Sequence, residues 1–302
     1  MTVLVLNHEE VEQLLAMNDC IDVMAEALHA LAREQSFVPL RPVIRPPAAP
    51  GFMGLMPGWS QAEGWGLKVV NIYPENPGRG LDAHQGAVLL HDGVTGELRA
   101  LLNASAVTEI RTAAVSAVAT RALAREGAQV VAILGGGVQA RSHEAAMRAI
   151  LPAAEIRTWR RADGGTAEET VRGADVVCCC TSAREPILER VWLDAGAHVN
   201  AVGSSVPTAR ELDAATVAAA TLVVDRRESA VNEAGDLLLA GFGEERIAAE
   251  LGEVLVGEHP GRTDAAELTV FKSLGLGVED LAAGELVVRK ARERGVGTEV
   301  SF

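Results

Sequence analysis

The residues best placed to do chemistry in this 302-residue chain are three small ones, Gly135, Gly137 and Ala140, in the order G-x-G-x-x-A. In such a turn the first glycine lets the chain bend sharply and the second lets the backbone approach a pyrophosphate. The third residue is small enough for a helix to pack on its strand. The helix N-terminus, with Val138 and Gln139 in its first turn, offers free N–H groups to phosphate oxygens. Glycine turns between strands and helices are common, so context decides. Here the apolar run Val130-Val131-Ala132-Ile133-Leu134 suits a strand buried on both faces, and helix-forming residues follow from Gln139 to Ile150. A dinucleotide site is the expectation, with a mere tight turn as the alternative.

The next strand, ending Ile156-Arg157-Thr158-Trp159, runs into Arg160-Arg161 about 20 residues past the glycines. An acidic residue there would bind ribose hydroxyls and repel a 2′-phosphate, whereas two guanidiniums suit a phosphate dianion. The alternative is a solvated basic turn. NADP(H) is therefore expected in preference to NAD(H), which stays possible. Lys68 lies in Leu67-Lys68-Val69-Val70-Asn71-Ile72, an otherwise buried-looking strand, where a lysine must be paired or functional. Cys178-Cys179-Cys180 cannot offer metal-ligand spacing, because alternate side chains on a strand point to opposite faces. They read as small apolar fillers of a buried strand, with a redox or zinc role as the alternative, and no metal site is expected.

The elements that must position these residues fall in order. Thr2–Leu6 forms a strand, and Asn7 with Glu10 makes a capping box for a helix to about Met17. A second helix runs from near Asp19 to Gln35. Five prolines between 39 and 50 exclude a helix and leave an extended edge. Strands follow at 51–57 and 66–73, then a hairpin of 85–91 and 97–103. A long alanine-rich helix from Ser105 to about Arg125 leads into an α/β succession with strands at 130–134, 155–159, 175–180, 198–202 and 221–225. Between Arg161, just past the second of these, and Asp175, which opens the third, lie only thirteen residues, 162 to 174. A usual crossover helix plus another strand needs at least ~15 to 20. The second crossover helix and third strand of the Rossmann sheet are therefore expected to be reduced or missing. Residues 244–251 and 264–268 read as helical, and a final helix from Val278 to Arg294 is expected to fold back onto the first domain.

Apolar residues make up 48% and charged residues 23% of the chain, as in a globular protein with a large core. The net charge of −14, with no block of Lys or Arg, disfavours nucleic acid and anionic membrane as partners. No apolar run approaches the ~20 residues of a membrane span. Met1-Thr2-Val3-Leu4-Val5-Leu6 has neither the basic region nor the cleavage site of an export signal, and the expected compartment is the cytoplasm.

Several stretches in one order resemble the ornithine cyclodeaminase/mu-crystallin family over nearly the full length. They are Gly51–Pro57 (GFMGLMP), Gly66–Val70 (GLKVV), His84–Leu90 (HQGAVLL), Glu109–Ala114 (EIRTAA), the glycine turn with Val138-Gln139-Ala140, Val199–Gly203 (VNAVG) and Phe271–Gly275 (FKSLG). The resemblance implies an α/β fold: a Rossmann-type NAD(P)-binding domain at 116–277, and a discontinuous α+β domain at 1–115 with 278–302 that binds substrate and forms a homodimer. It implies that Arg41, Lys68 and Arg111 hold the substrate carboxylate, a task that suits Arg because it binds carboxylates through two bonds. For each cation alone a surface ion pair is the alternative. It further implies that His84, Thr112, Thr181, Asn200 to Gly203 (with Val202), Glu233, Lys272 and Ser273 line the cofactor or the cleft, though Asn200, His84 and Glu233 could equally be ordinary hydrogen-bonding residues.

One departure matters. Where the cyclodeaminases carry an aspartate after the A-V-G strand, this chain has Ser205 in Gly203-Ser204-Ser205-Val206-Pro207. A serine hydroxyl is no usable base near pH 7 without an activating partner. Ornithine cyclisation is disfavoured, and the serine resembles the mu-crystallin branch and related amino-acid dehydrogenases. The expected activity is NADP(H)-dependent reduction of an α-imino acid or cyclic ketimine carboxylate, with Lys68 catalytic as a proton relay. Three alternatives stay open: a cyclodeaminase-type lyase recycling NAD, a synthase or chain-specific amino-acid dehydrogenase, and a non-catalytic NADPH-dependent small-ligand binding protein.

Overall fold

The structure, a computed structural model, describes residues 2–302 apart from the side chain of Pro77. It divides into two compact units, Met1–Arg111 with Leu276–Phe302, and Thr112–Gly275.

Unit 1 begins with β1 (Thr2–Leu6), α1 (His8–Leu14) and α2 (Met17–Ala32). The Asn7–Glu10 capping box closes the N-terminus of α1, each residue's side chain accepting the other's backbone N–H at 3.0 and 2.8 Å. Short strand β2 (Ser36–Phe37) precedes the proline-rich segment and β3 (Val43–Ile44) lies within it, where the missing proline N–H groups confine the chain to an edge. The antiparallel meander β4 (Phe52–Ser60), β5 (Gly64–Ile72), β6 (His84–His91) and β7 (Leu98–Asn103) then forms the body of the sheet. β1 pairs parallel to β7. Helix α3 (Ala104–Leu123) follows, and the boundary between the units falls inside it.

Unit 2 is a seven-stranded, wholly parallel sheet. Its elements are β8 (Val130–Leu134), α4 (Val138–Ile150), β9 (Glu155–Trp159), α5 (Ala167–Val171), β10 (Val176–Cys179), β11 (His198–Ala201), α6 (Ala214–Ala219), β12 (Thr221–Val224), α7 (Arg227–Glu233), α8 (Gly235–Leu238), β13 (Ile247–Glu250), α9 (Leu251–Leu255) and β14 (Thr269–Lys272). The strand order is β13-β12-β14-β11-β10-β8-β9. From β8 the chain steps outward to β9, then returns to the other side of β8 to lay down β10, which makes the carboxyl ends of β8 and β10 the switch point of the sheet. Between β9 and β10 only the five-residue α5 is formed, with no strand among the described residues, as the short interval requires.

Two expectations fail here. Residues 244–251 are mostly not helical: a 3-10 turn leads into β13, whose alternating burial pairs it with β12 at the sheet edge. The alanines that favour a helix there are overruled by that pairing. Residues 264–268 form a turn and loop before β14, which enters the middle of the sheet between β11 and β12. The cysteine run belongs to the buried β10 and its end, and burial pushes the Cys178 thiol up to about 12 and holds Cys179 and Cys180 well above the ordinary thiol value.

The chain then returns to unit 1 through α10 (Gly277–Arg294) and β15 (Thr298–Ser301), which pairs antiparallel with β1. Helix α10 lies on the face of the sheet formed by the even-numbered residues of β4 and β5, and small residues permit the approach. A Cβ on Gly58 would meet the Gly277 backbone at 2.7 Å, and one on Gly66 would meet Leu281 Cβ at 2.9 Å.

Candidate active site

Lys68 faces α10 from the middle of β5, between its Cα partners Met56 and Val88. It is 2% exposed. Its ammonium donates to Asp280 Oδ1 at 2.9 Å and to Thr108 Oγ1 at 3.2 Å. Arg111, also buried, donates from Nε to Asp280 Oδ1 and from Nη1 to Glu279 Oε2, both at 3.0 Å. Glu279 and Asp280 stand in the first turn of α10, where the helix dipole favours negative charge, and the glycine-mediated seat of that helix presses them into the sheet. Two cations are thereby matched by two carboxylates away from water. Burial, partly offset by Asp280 and reinforced by Arg111 and Arg41, brings the Lys68 ammonium down to about 8. Arg41 is half-buried in the segment between β2 and β3. His84 is exposed at the first residue of β6, and its carbonyl accepts from Ser105 Oγ at 2.7 Å.

In unit 2 the glycine turn sits at the switch point. Gly135 has φ +140°, and a Cβ on it would strike the Cys180 carbonyl oxygen at 2.5 Å, so only glycine can close the turn there. Gly137 is the N-cap of α4, with no side-chain cap and open space where its Cβ would be. That combination leaves N–H groups and room for a pyrophosphate, so the residues present fit a dinucleotide. Val138 is exposed, Gln139 half-buried, and Ala140 buried against the sheet side of α4. The stem of Arg160 lies across Gly136, whose Cβ would come within 2.9 Å of Arg160 Cδ, while its guanidinium pairs loosely with Asp163 at 3.7 Å. Arg161 is exposed.

At the neighbouring strand ends, Thr181 follows β10, and Val202 and Gly203 follow β11. The buried Glu211 ties them together: its Oε1 accepts the Thr181 N–H and Oγ–H at 2.7 Å each, and its Oε2 accepts the Gly203 N–H at 2.6 Å. Burial raises the Glu211 carboxyl above its usual range, against the lowering influence of Lys272 and Thr181. Asp236 Oδ1 accepts the N–H groups of Glu211 and Leu212 at 2.7 and 2.9 Å, and its Oδ2 lies 2.9 Å from Lys272 Nζ. Lys272 and Ser273 are buried, and both donate to the Ala201 carbonyl, from Nζ at 3.2 Å and from N–H at 3.1 Å. Asn200 is buried and donates to Thr120 Oγ1 at 2.9 Å, an ordinary internal bond. Thr112 is buried on α3, and Glu233 is half-buried at the end of α7.

Thus Lys68 and Arg111 converge on one carboxylate, and the glycine turn, Arg160, Thr181, Val202 and Gly203 gather at the carboxyl ends of β8 to β11. Arg161 and His84 are left at the surface. The sequence reading misses Glu279, Asp280, Thr108, Glu211 and Asp236. An acidic pair opening a helix whose other residues are largely apolar is a signal for the first two, whereas nothing local distinguishes Glu211 or Asp236.

The profile of the ornithine cyclodeaminase/mu-crystallin family matches residues 1–168 and 164–295. The chain is 42% identical to the ketimine reductase mu-crystallin of Mus musculus, over 82% of this chain and 83% of that protein. Its structure is similar to that of Δ1-pyrroline-2-carboxylate reductase from Thermococcus litoralis in complex with NADH and L-proline, with a TM-score of 0.91 and 35% identity over 99% of this chain and 100% of that one. It is also similar to an archaeal alanine dehydrogenase dimer with bound NAD, with a TM-score of 0.95 and 30% identity over the whole of both chains.

Proposed function

This chain belongs to the ornithine cyclodeaminase/mu-crystallin family, and on that premise we propose that it is an NAD(P)H-dependent imine reductase converting an α-imino acid or cyclic ketimine carboxylate to the amino acid. Unit 1 serves as the substrate domain and unit 2 as the nucleotide domain. When bound, the reduced nicotinamide supplies a hydride to the imine carbon. Arg41, Lys68 and Arg111 hold the substrate carboxylate. Because Lys68 and Arg111 already face Glu279 and Asp280, the carboxylate shares their donors rather than meeting bare cations. Lys68 also keeps the imine nitrogen protonated, since an iminium accepts hydride far better than a neutral imine. The observation that carries the reading is the Lys68 ammonium itself: buried, oriented by Asp280, and lowered to about 8, it can give up a proton near neutral pH.

The nucleotide is bound through Gly135, Gly137, Val138, Gln139 and Ala140, with Thr112, Thr181, Val202, Gly203, Glu233, Lys272 and Ser273 of unit 2 around the remainder. NADPH is preferred, because Arg160 and Arg161 stand at the end of β9 where no carboxylate does. A homodimer forms through the face of unit 1's sheet away from α10, which carries the half-buried Leu55, Trp59, Leu67, Val69 and Leu89 and the 51%-exposed Trp65. No helix among the described residues is long and apolar enough to cross a membrane. The four cysteines, all buried free thiols, suit a reducing compartment such as the cytoplasm.

The test is oxidation of NADPH or NADH at 340 nm with Δ1-pyrroline-2-carboxylate, a six-membered cyclic homologue, and pyruvate or glyoxylate with amines. Turnover with at least one imine acid is expected. Ammonia release from ornithine without net change at 340 nm points instead to a lyase. Coenzyme binding without turnover on any imine points to a ligand-binding role.

A further inference from the structure

Two of the buried carboxylates of unit 2 tie backbone N–H groups together at opposite ends of one sheet. Asp175, just before β10, accepts the N–H groups of Gln129 and Val130 at 2.7 and 2.9 Å, at the amino ends of the strands. Glu211 accepts those of Thr181 and Gly203 at 2.7 and 2.6 Å, at the carboxyl ends. Ligands of open parallel sheets bind outside the carboxyl ends. On the nucleotide reading the adenosine half would lie toward β9 and the nicotinamide half over β10 and β11, on the loops that Glu211 joins.

We propose that Glu211 is a positioning residue for the coenzyme: its carboxylate fixes the Thr181 and Gly203 loops in their receiving shape before the nucleotide arrives. This rests on the nucleotide-binding reading of unit 2. Three donors converge on its two oxygens, and a carboxylate, which only accepts, satisfies all of them. The loops also touch directly. A Cβ on Gly203 would overlap the Thr181 carbonyl oxygen at 1.9 Å, so their spacing has no slack. Glu211 is itself held, because Asp236 clamps its N–H and is in turn paired with Lys272. The chain therefore fixes Glu211 from both its backbone and its surroundings, and an amide in its place must turn a donor toward one of the two loop N–H groups.

In Glu211→Gln, the Kd of NADPH and NADH, measured by coenzyme fluorescence without imine, is expected to rise about tenfold or more. The coenzyme KM should rise with it, while the imine KM at saturating coenzyme should change little. Asp175→Asn, at the far end of the sheet, where the carboxylate also pairs with Arg125, is expected to lower Tm yet hold coenzyme Kd within about twofold. A merely structural role would move both variants alike. In the wild type without coenzyme, the Thr181 and Gly203 amides should already be protected from hydrogen exchange, a readout that does not require the variant to fold. Unchanged coenzyme Kd in Glu211→Gln, or free exchange of those amides until NADPH is added, overturns the proposal. Failure of the wild type to bind either coenzyme overturns the nucleotide reading beneath it, and this one with it.

Discussion

Unit 2 has a buried ion pair of its own, Lys272 with Asp236, but the two units hold their other buried carboxylates by different means. In unit 1, Lys68 and Arg111 are held by Glu279 and Asp280, opposite charges that meet across as many as 212 residues of sequence. In unit 2, Glu211 and Asp225 are held chiefly by backbone N–H groups. Asp225 Oδ2, for example, accepts from Leu274 and Gly275 at 2.5 and 2.7 Å. An ion cluster can redistribute its bonds when another charge enters, which suits the proposed seat of a substrate carboxylate. A carboxylate clamped by main-chain donors fixes the shape of a loop and has no such freedom, which suits the proposed nucleotide platform. The cost differs as well. An ion cluster is strongly exposed to the loss of one member, because the remaining charges are stranded without solvent.

The sharpest way to break this comparison is therefore Asp280→Ala. It removes the acceptor shared by Lys68 and Arg111, and the expected loss of unfolding free energy is ~3–5 kcal/mol, read from urea denaturation. A loss below about 1 kcal/mol would mean that the cluster is hydrated and that its charges are not interdependent. Second is Lys68→Ala, expected to lower kcat for imine reduction by about 10²–10⁴-fold. In the wild type, kcat/KM should fall as pH rises through about 8, because the proton on Lys68 is lost there. The stability sign runs the other way. With its pKa lowered from 10.5 to about 8 in the fold, Lys68 binds fewer protons folded than unfolded between those values, so its contribution to stability rises with pH across that window. Activity and stability should thus diverge above pH 8, and full turnover by Lys68→Ala would remove it from the chemistry.

Much of this architecture is legible in the sequence because the responsible physics is local. The run Val130–Leu134 can only be an interior strand, the Asn7–Glu10 pair can only begin a helix, and thirteen residues cannot hold a full crossover and strand. Lys68 announces itself as a charge in an apolar strand. What cannot be read is long-range. Ile247–Glu250 becomes a strand because β12 offers it an edge, and Thr269–Lys272 because a gap stands between β11 and β12, neither of which is written in those residues. The carboxylate partners of Lys68 and Arg111 lie more than 160 positions downstream. Glu211 sits in an unremarkable Ala209-Arg210-Glu211-Leu212-Asp213 stretch, and only the folded loops give it a purpose.

Acid sharpens the comparison from unit 2's side. Burial pulls the His143 imidazole down to about 4 and that of His198 to about 3, from an ordinary 6.5. His143 lies between the Gln139 carbonyl and Ser116 Oγ, at 2.7 and 2.9 Å. Both rings are neutral in the fold and protonated in the unfolded chain from about pH 6.5 downward. Stability is therefore lost as pH falls from 6.5 toward 4, by roughly 3 kcal/mol for His143 if the unit stays folded that far. His143→Gln should flatten the acid limb of a pH–stability curve. A parallel, undiminished slope in that variant would remove this imidazole as a cause.

The smallest effect concerns the choice of coenzyme, and it tests whether the nucleotide platform reads charge at all. Arg160 is half-exposed, and its nearest carboxylate, Asp163, stands 3.7 Å away, so solvent screens it and its worth to a ligand is modest. Its advantage is geometric. Its stem is laid over Gly136, beside the glycine turn, so a 2′-phosphate there would meet a guanidinium whose stem is already in place. Reversing the charge with Arg160→Glu should lower the ratio of kcat/KM for NADPH to that for NADH by about 10- to 100-fold, from losing one charge-assisted contact and adding a repulsive one. Arg161→Glu, at an exposed position without such a seat, should change the ratio less. If the two variants behave alike, the cations act only through their summed field, and the packing of Arg160 on the turn has no part in selectivity.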